Sequence, residues 1–285
     1  GTVQYSSSDS SAVSVDKNTG ALAVHKASTT PVTITATVEE TADYAVATAS
    51  YTVAVNKKEL TITGLTATER SYEPNCTTVT LTGGTLNGVV NAGEVSVTMP
   101  TSGTITSADA GNGKAVTVTK PELTGSNKYS YTLADITGVT VNISKADPAV
   151  GTVSYSGGTI YPSTDPNSIT LSKTGAAAGE LKLTDGQTLT VGTKDYNWTF
   201  TPSDTDNYNV LTGTVSLTVS EDTLVALSIP GTPEKLSYKY GEAFETTGLT
   251  VTATYASGKT QDVTAQVTFG TLSVGQTEIV LKYQD

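Results

Sequence analysis

Apolar and polar residues alternate with a period of two in several segments of the chain. Successive side chains of a β-strand point to opposite faces, so this period places Val, Ile and Leu on one face and Thr on the other. Thr on the solvated face keeps β propensity without adding hydrophobic surface. The pattern predicts half-buried antiparallel strands at Thr33–Val38, Tyr51–Val55, Val116–Thr119, Val139–Ile143, Val215–Val219 and Leu249–Tyr255.

Turn signals rich in Gly, Asn and Asp separate these segments, and an internal repeat suggests modules. Residues 41–48 align without a gap with residues 205–212, and each copy leads into a predicted strand. Short strands at this spacing are typical of small sandwiches, and short linkers restrict bending. We therefore predict an all-β, elongated tandem array of small Ig-like or β-sandwich-type modules. The expected modules are 1–56 (incomplete), 57–145, 146–220 and 221–285.

Composition excludes several classes of function. The 285 residues carry 16 Lys+Arg against 27 Asp+Glu, a net charge of -11 that disfavours nucleic-acid binding. With one Cys and one His, a disulfide framework, a zinc cluster and a triad needing two His are excluded. No long apolar run predicts membrane insertion, and no signal peptide is recognisable. Because Gly1 leads directly into a strand pattern, we expect both ends to be trimmed.

Two segments resemble domain families of bacterial surface proteins. Residues 57–145 resemble the YDG-type repeat of exported adhesins through Leu86-Asn87-Gly88-Val89 and the segment 110–116, although Tyr72-Glu73-Pro74 replaces the eponymous Tyr-Asp-Gly. Residues 223–285 resemble the bacterial Ig-like domain of group 3 through Tyr240-Gly241-Glu242-Ala243-Phe244 and the segment 247–255. These resemblances imply extracellular, non-catalytic modules.

Two further segments resemble other surface repeats. The segments 5–9, 19–22 and 32–37 are similar to the bacterial Ig-like group 2 pattern, with Tyr5 where Trp is common. Residues 146–220 are similar to repeats that end in F-T-P-x-D-x-x-N-Y-N, which here occupies 200–209. Taken together, the four resemblances imply part of a large bacterial surface protein, either an adhesin or a glycan-active enzyme.

Candidate catalytic residues are few. His25 follows a predicted strand without a nucleophile motif, and Cys76 lacks a helix N-terminus that would lower its pKa, so a surface His and an inert thiol are favoured. A glycosidase pair needs a cleft between two carboxylates, which a small sandwich does not offer. The carboxylates considered for such a pair are Glu39, Glu40, Asp43, Asp204 and Asp206.

Two binding or cross-linking chemistries stay open. Asp204, Asp206 and Asn207 supply oxygen ligands for calcium, but their spacing favours a turn in which Asp and Asn bond the backbone. An intramolecular isopeptide bond needs a buried Lys, an Asn and an acid together; Lys173, Lys182 and Asn142 are the candidates.

One aromatic row is the alternative ligand-binding site. Tyr196, Trp198 and Phe200 share a face of one predicted strand, where aromatic residues more often form the core of a small module. Exposure of Trp198 would instead favour stacking on a sugar, with Tyr196 beside it.

From this sequence we expect a non-catalytic extracellular stalk of a bacterial cell-surface protein, an adhesin, that presents a functional domain away from the cell. The alternative is an array that binds a glycan or a matrix protein, in an adhesin or a carbohydrate-active enzyme. We expect no enzyme activity, no cofactor, no metal, no nucleic-acid partner and a monomeric chain. Partners would be host or environmental glycans or proteins that flanking domains bind.

Overall fold

The computed structural model describes residues 1–284, and this part of the chain is nearly all β. It forms small sheets and three short 3-10 helices, which confirms the all-β prediction. The chain divides into two compact units, Gly1–Ala146 and the residues from Asp147 onward. None of the helices within residues 1–284 has the length and apolar character needed to cross a membrane.

The first unit begins with a three-stranded antiparallel sheet and a small hairpin. Val32 and Ile34 of the central strand are buried with Ala12 and Val13, whereas the intervening Thr33 is half-buried on the opposite face. The predicted strand Thr33–Val38 is therefore confirmed. The sheet has the order β1 (Val3–Ser7), β4 (Val32–Val38), β5 (Ala47–Val53), and the hairpin pairs β2 (Val13–Val15) with β3 (Leu22–Val24).

The rest of the first unit contains three sheets around two hydrophobic clusters. The larger cluster includes Val79, Leu81, Val141 and Ile143, and the smaller one centres on Leu60. One sheet has the order β10 (Ser102–Thr104), β8 (Thr78–Asn87), β6 (Lys58–Ala67), β13 (Tyr131–Leu133). The others are β11 (Gly111–Ala115), β14 (Thr140–Ser144), β7 (Arg70–Ser71), and the pair β12 (Leu123–Thr124) with β9 (Ser96–Val97); a 3-10 helix spans Lys128–Ser130.

One predicted strand of this region does not form a ladder. Val116 and Val118 are buried as the alternation requires, but the segment makes only an isolated bridge, Thr104 with Thr117. Its backbone also donates from Val116 N–H to the Val139 carbonyl at 2.9 Å. The alternation therefore predicted correctly which side chains are buried. The backbone of this segment, however, forms a single β-bridge and not a continuous strand.

The second unit contains a long antiparallel sheet over a large core. Leu217 and Val219 are buried together with Leu183, Leu189 and Val215, which confirms the predicted strand Val215–Val219. The sheet has the order β17 (Gly179–Leu183), β18 (Gly192–Pro202), β19 (Leu211–Val219). A short pair, β15 (Val153–Ser154) with β16 (Ser172–Lys173), and a 3-10 helix at Pro166–Ser168 complete this part.

The C-terminal part of the second unit has a smaller core. Val251, Ala253 and Val263 are completely buried, and the alternating segment around them confirms the predicted strand at Leu249–Tyr255. One sheet has the order β20 (Leu224–Gly231), β21 (Thr250–Tyr255), β22 (Thr260–Asp262). A second pairs β23 (Val267–Phe269) with β24 (Leu281–Tyr283), and a 3-10 helix spans Thr264–Gln266.

Candidate functional site

The aromatic row of β18 faces the core of its sheet. Tyr196 is 5% exposed and Phe200 is completely buried. The Tyr196 hydroxyl accepts a hydrogen bond from the Thr190 amide at 3.0 Å and donates to the Thr190 carbonyl at 3.4 Å. Tyr196 is therefore packed and hydrogen-bonded inside the protein.

Trp198 is half-buried beside the same core. It lies opposite Gly213 in the register of β18 and β19, and its indole N–H donates to the Thr214 carbonyl at 3.1 Å. A Cβ atom at Gly213 would come within 2.4 Å of the indole ring, so the ring can occupy this position only because residue 213 has no side chain. Because the indole N–H is already hydrogen-bonded, a ligand could contact only the solvent-accessible part of the Trp198 ring.

The residues considered for an isopeptide bond have other partners. The Lys173 ammonium donates to the Gly175 carbonyl at 2.8 Å and lies 5.5 Å from the Phe200 ring centroid. Lys182 forms an exposed ion pair with Asp185 at 3.4 Å. Asn142, in the first unit, accepts from the Gly113 amide at 2.8 Å.

The calcium candidates form the turn that their spacing favours. Both carboxylate oxygens of Asp204 accept from Asn207, one from its amide N–H at 3.1 Å and one from its side chain at 2.9 Å. The Tyr208 amide donates to the Asp204 carbonyl at 3.1 Å. Within residues 1–284, no three His, Cys, Asp or Glu side chains are grouped as a metal site.

The single His and single Cys lie in the first unit. Ser14 Oγ on β2 is 2.7 Å from Nε2 of His25, which directly follows β3, a contact that the sequence analysis missed. Within residues 1–284 no carboxylate hydrogen-bonds this imidazole, so the pair lacks the group that orients a catalytic His. Cys76 is half-buried, and its thiol donates weakly to the Thr78 carbonyl at 3.7 Å.

The remaining carboxylate candidates lie at the surface. Glu39, Glu40 and Asp43 are exposed in the connection between β4 and β5, where the Thr41 amide donates to the Tyr44 carbonyl at 2.9 Å. Asp206 is exposed in the turn after β18. The geometry of these segments is that of surface turns.

An open cavity of about 1460 Å³ lies within the C-terminal part of the second unit. Its lining includes a chain of aromatic rings in which Phe244 is 5.8 Å from Tyr238 and 5.5 Å from Phe269. Tyr240 and Leu236, which also line it, are 93% and 76% exposed. The sequence analysis noted Tyr240 and Phe244 only as family-like positions, did not mention Tyr238 or Phe269, and did not anticipate a cavity.

A charged cluster borders this cavity. The Lys235 ammonium bonds to Glu245 at 3.0 Å and to Glu242 at 3.3 Å, and lies 4.9 Å from the Tyr238 ring centroid. The hydrogen bond to Glu245 is the largest cause that raises the pKa of Lys235. The Lys239 backbone N–H is the largest cause that lowers the pKa of Glu242. An aromatic surface beside fixed charges can stack on a sugar ring and hydrogen-bond its hydroxyls.

A second polar cluster surrounds Glu94 in the first unit. Its carboxylate accepts from the Tyr131 hydroxyl, from the Asn127 side chain at 3.2 Å and from the Asn91 amide at 3.2 Å. These bonds, the one from Tyr131 first, lower the pKa of Glu94 to about 2. Burial and the bond to Glu94 raise the pKa of Tyr131. With the Asn91 side chain at 3.2 Å, four donors bind the two carboxylate oxygens of Glu94. The carboxylate is therefore fully hydrogen-bonded within the protein, which is typical of a structural role.

Two segments match known domain families. Residues 56–138 match the YDG domain, and residues 232–285 match the bacterial Ig-like domain (group 3), which confirms two of the four resemblances. The curated proteins contain no match to this chain. Among solved structures, Drosophila N-cadherin EC1-4 is similar at 12% identity, covering 94% of this chain and 78% of that one, with a TM-score of 0.18.

The family matches place the two polar clusters in named domains. Below, the YDG region means the part of the first unit from β6 to β14, and the Ig-like region means the part of the second unit from β20 onward. Glu94, Asn127 and Tyr131 lie within the YDG match, and the cavity residues from Pro233 to Leu281 lie within the Ig-like match. The YDG and Ig-like domains fit a surface or adhesion-type module of a bacterial protein. Domains of these kinds are typically non-catalytic.

Proposed function

We propose that the chain is a non-catalytic extracellular spacer segment of a bacterial cell-surface protein, an adhesin, built from four modules in series. The modules are 1–56, 57–145, 146–220 and 221–285, the first of group 2 Ig-like type and the third of the F-T-P-x-D-x-x-N-Y-N type. The chain would hold a functional domain at a distance from the cell. In this role the chain contributes length and stiffness. Flanking domains would recognise the host or environmental partner.

The observation that carries this proposal is the division of the interior into separate small cores along the chain. Each core draws its residues from within one proposed module, such as Val32 and Ile34 in the first and Val251 and Ala253 in the fourth. The strands around these cores place Thr on the solvated face. Each module can therefore bury its own apolar face without a cleft shared with the next module. A net charge of -11 favours solubility of such a surface.

The test is a binding panel of the full chain against glycans, mucins and matrix proteins at low and high salt. We expect no saturable binding, because a spacer contributes length and not recognition. A saturable signal that persists at high salt would contradict the spacer role. Partial loss of such a signal in Trp198→Ala, with the fold kept, would assign binding to the accessible part of that ring beside Tyr196.

The second candidate function is glycan binding by the C-terminal Ig-like region. It is favoured by the open aromatic cavity, which is lined both by the exposed ring of Tyr240 and by the ion pair of Lys235 and Glu242. On this proposal Tyr240→Ala abolishes a glycan signal and Tyr129→Ala, an equally simple loss of an exposed ring in the YDG region, leaves it unchanged. Equal losses in both variants would contradict a site at the cavity.

A further inference from the structure

Two hydrophobic cores of the first unit meet through polar contacts. The first core holds Val32 and Ile34, and the second holds Leu60 and Tyr131. The chain connects them through the residues between β5 and β6. Far along the sequence, the segment that precedes β13 also returns to the loop that follows β3.

The contact consists of hydrogen bonds to backbone groups of this loop. The Ala27 amide donates to Ser130 Oγ at 2.8 Å, and the Asn127 side chain donates to the His25 carbonyl at 3.3 Å. The sequence separations are 103 and 102 residues. Because the loop contributes only backbone groups, the side chains that determine the contact are those of Asn127 and Ser130.

Both side chains are held in position before they reach the loop. Ser130 is 9% exposed and its hydroxyl donates to Asn127 Oδ1 at 2.5 Å. The Asn127 amide nitrogen has two hydrogens, and its two acceptors are the His25 carbonyl and Glu94 Oε2. Rotating this amide by half a turn would turn its oxygen toward these two acceptors and lose both bonds, so its orientation is set.

Glu94 supports Asn127 and Tyr131 through both its side chain and its backbone. Its carboxylate bonds to Tyr131, which begins β13, and its backbone carbonyl accepts from the Asn127 amide at 3.1 Å. The Tyr131 hydroxyl in turn accepts from the Val90 amide at 3.1 Å. Residues from two segments of the chain, 90–94 and 127–131, therefore support the two side chains that touch the loop.

We propose that Asn127 and Ser130 form a joint that docks the loop 25–27 onto the YDG region and stops residues 1–55 from rotating freely, with Glu94 as a positioning residue. The inference deepens the proposed spacer role and rests on it, because a spacer keeps its reach only when its joints resist bending. A freely rotating linker would need none of these bonds.

The experiment measures a distance distribution across the joint in the full chain. Spin labels are placed at Ser10 and Asn112, which are exposed, in a Cys76→Ser background. Pulsed electron paramagnetic resonance compares this parent with Ser130→Ala and Asn127→Ala. The matched control is Ser126→Ala, an exposed serine four residues from Ser130. Amide exchange at Ile34 and Val141 reports whether both cores remain folded.

We expect one narrow distance peak in the parent and in Ser126→Ala, and a broadened distribution in Ser130→Ala and Asn127→Ala. We also expect the Ala27 amide to exchange about tenfold faster in Ser130→Ala, the effect of losing one hydrogen bond. Ser130→Ala removes a single hydroxyl and is the variant that keeps the fold if Asn127→Ala does not.

A distribution that is broad in the parent, or that stays narrow in both variants with the cores intact, would overturn the joint. This outcome is distinct from failure of the spacer role. A glycan signal in the binding panel would contradict the spacer while leaving a narrow parent distribution in place.

Discussion

The YDG region and the C-terminal Ig-like region are both built from alternating strands, yet they differ in how completely those strands are covered. In the YDG region Leu60, Val79 and Ile143 are at most 2% exposed. In the Ig-like region Val225 and Ile229 of β20 are 61% and 55% exposed, and Ile229 borders the open cavity. Alternation therefore specifies a face, and a second layer must still be present to bury it.

The backbone pairing of the two regions explains part of the difference. In the YDG region the parallel pairs β13 with β6 and β14 with β7 bring distant segments over the core. In the Ig-like region β23 pairs with β24 in a separate two-stranded sheet. A two-stranded sheet covers little surface and is weakly stable alone.

Truncating a core residue should produce the largest effect, and only in the covered region. Ile143→Ala should destabilise the YDG region by about 2–5 kcal/mol, the usual range for deleting a buried aliphatic side chain. Urea dependence of amide exchange in each region separates the responses. An equally large loss in the Ig-like amides would show that the two regions unfold together.

Gly125 and Gly241 provide a second comparison, because both have positive φ, +111° and +90°. At Gly125 a Cβ would lie 2.4 Å from the Glu94 carbonyl oxygen, whereas at Gly241 it would meet nothing within 4 Å. We expect Gly241→Ala to cost about 1–2 kcal/mol from its backbone alone. Gly125→Ala should cost more, measured by thermal unfolding; equal costs would mean that the YDG backbone relaxes around the new atom.

Acid should weaken the YDG region through Glu94. The folded-state pKa is about 2, below the ordinary value of 4.5, so the stability it contributes is fully present above pH 4.5 and is lost as the pH falls toward 2. Glu94→Gln should flatten this part of the pH dependence of Tyr131 and Val95 amide protection. Glu122→Gln, which removes an exposed carboxylate of the same region, should leave the slope unchanged.

Exposed apolar residues of the Ig-like cavity should have the smallest effect. Val274 is 82% exposed, so Val274→Thr should change the free energy of unfolding by no more than about 0.5 kcal/mol. Urea unfolding followed by amide exchange in β21 measures it. A loss above 1 kcal/mol, on the scale of buried truncations, would show that this side of the cavity is covered in solution.

Local patterns predicted much of the fold. The strands around Ile34, Ile143, Leu217 and Val251 follow from alternation, because the period of side-chain direction is a property of each strand by itself. The turn at Asp204 follows from the short side chains of Asp and Asn, which bond their own backbone. Alternation also predicted that Trp198 and Tyr196 share a face of their strand. It could not distinguish a face that packs in the core from a face that binds a ligand.

The amino-acid sequence by itself determined which residues point inward, where turns occur and which two domain families match. Tertiary structure alone decided the parallel pairing of Tyr131 with Lys58, the contact of Ser14 with His25 and the bond from Asn127 to the His25 carbonyl. These contacts join groups on different strands and loops, in two cases with long separations along the chain. No local period encodes such partners, because their choice depends on how the whole set of strands packs.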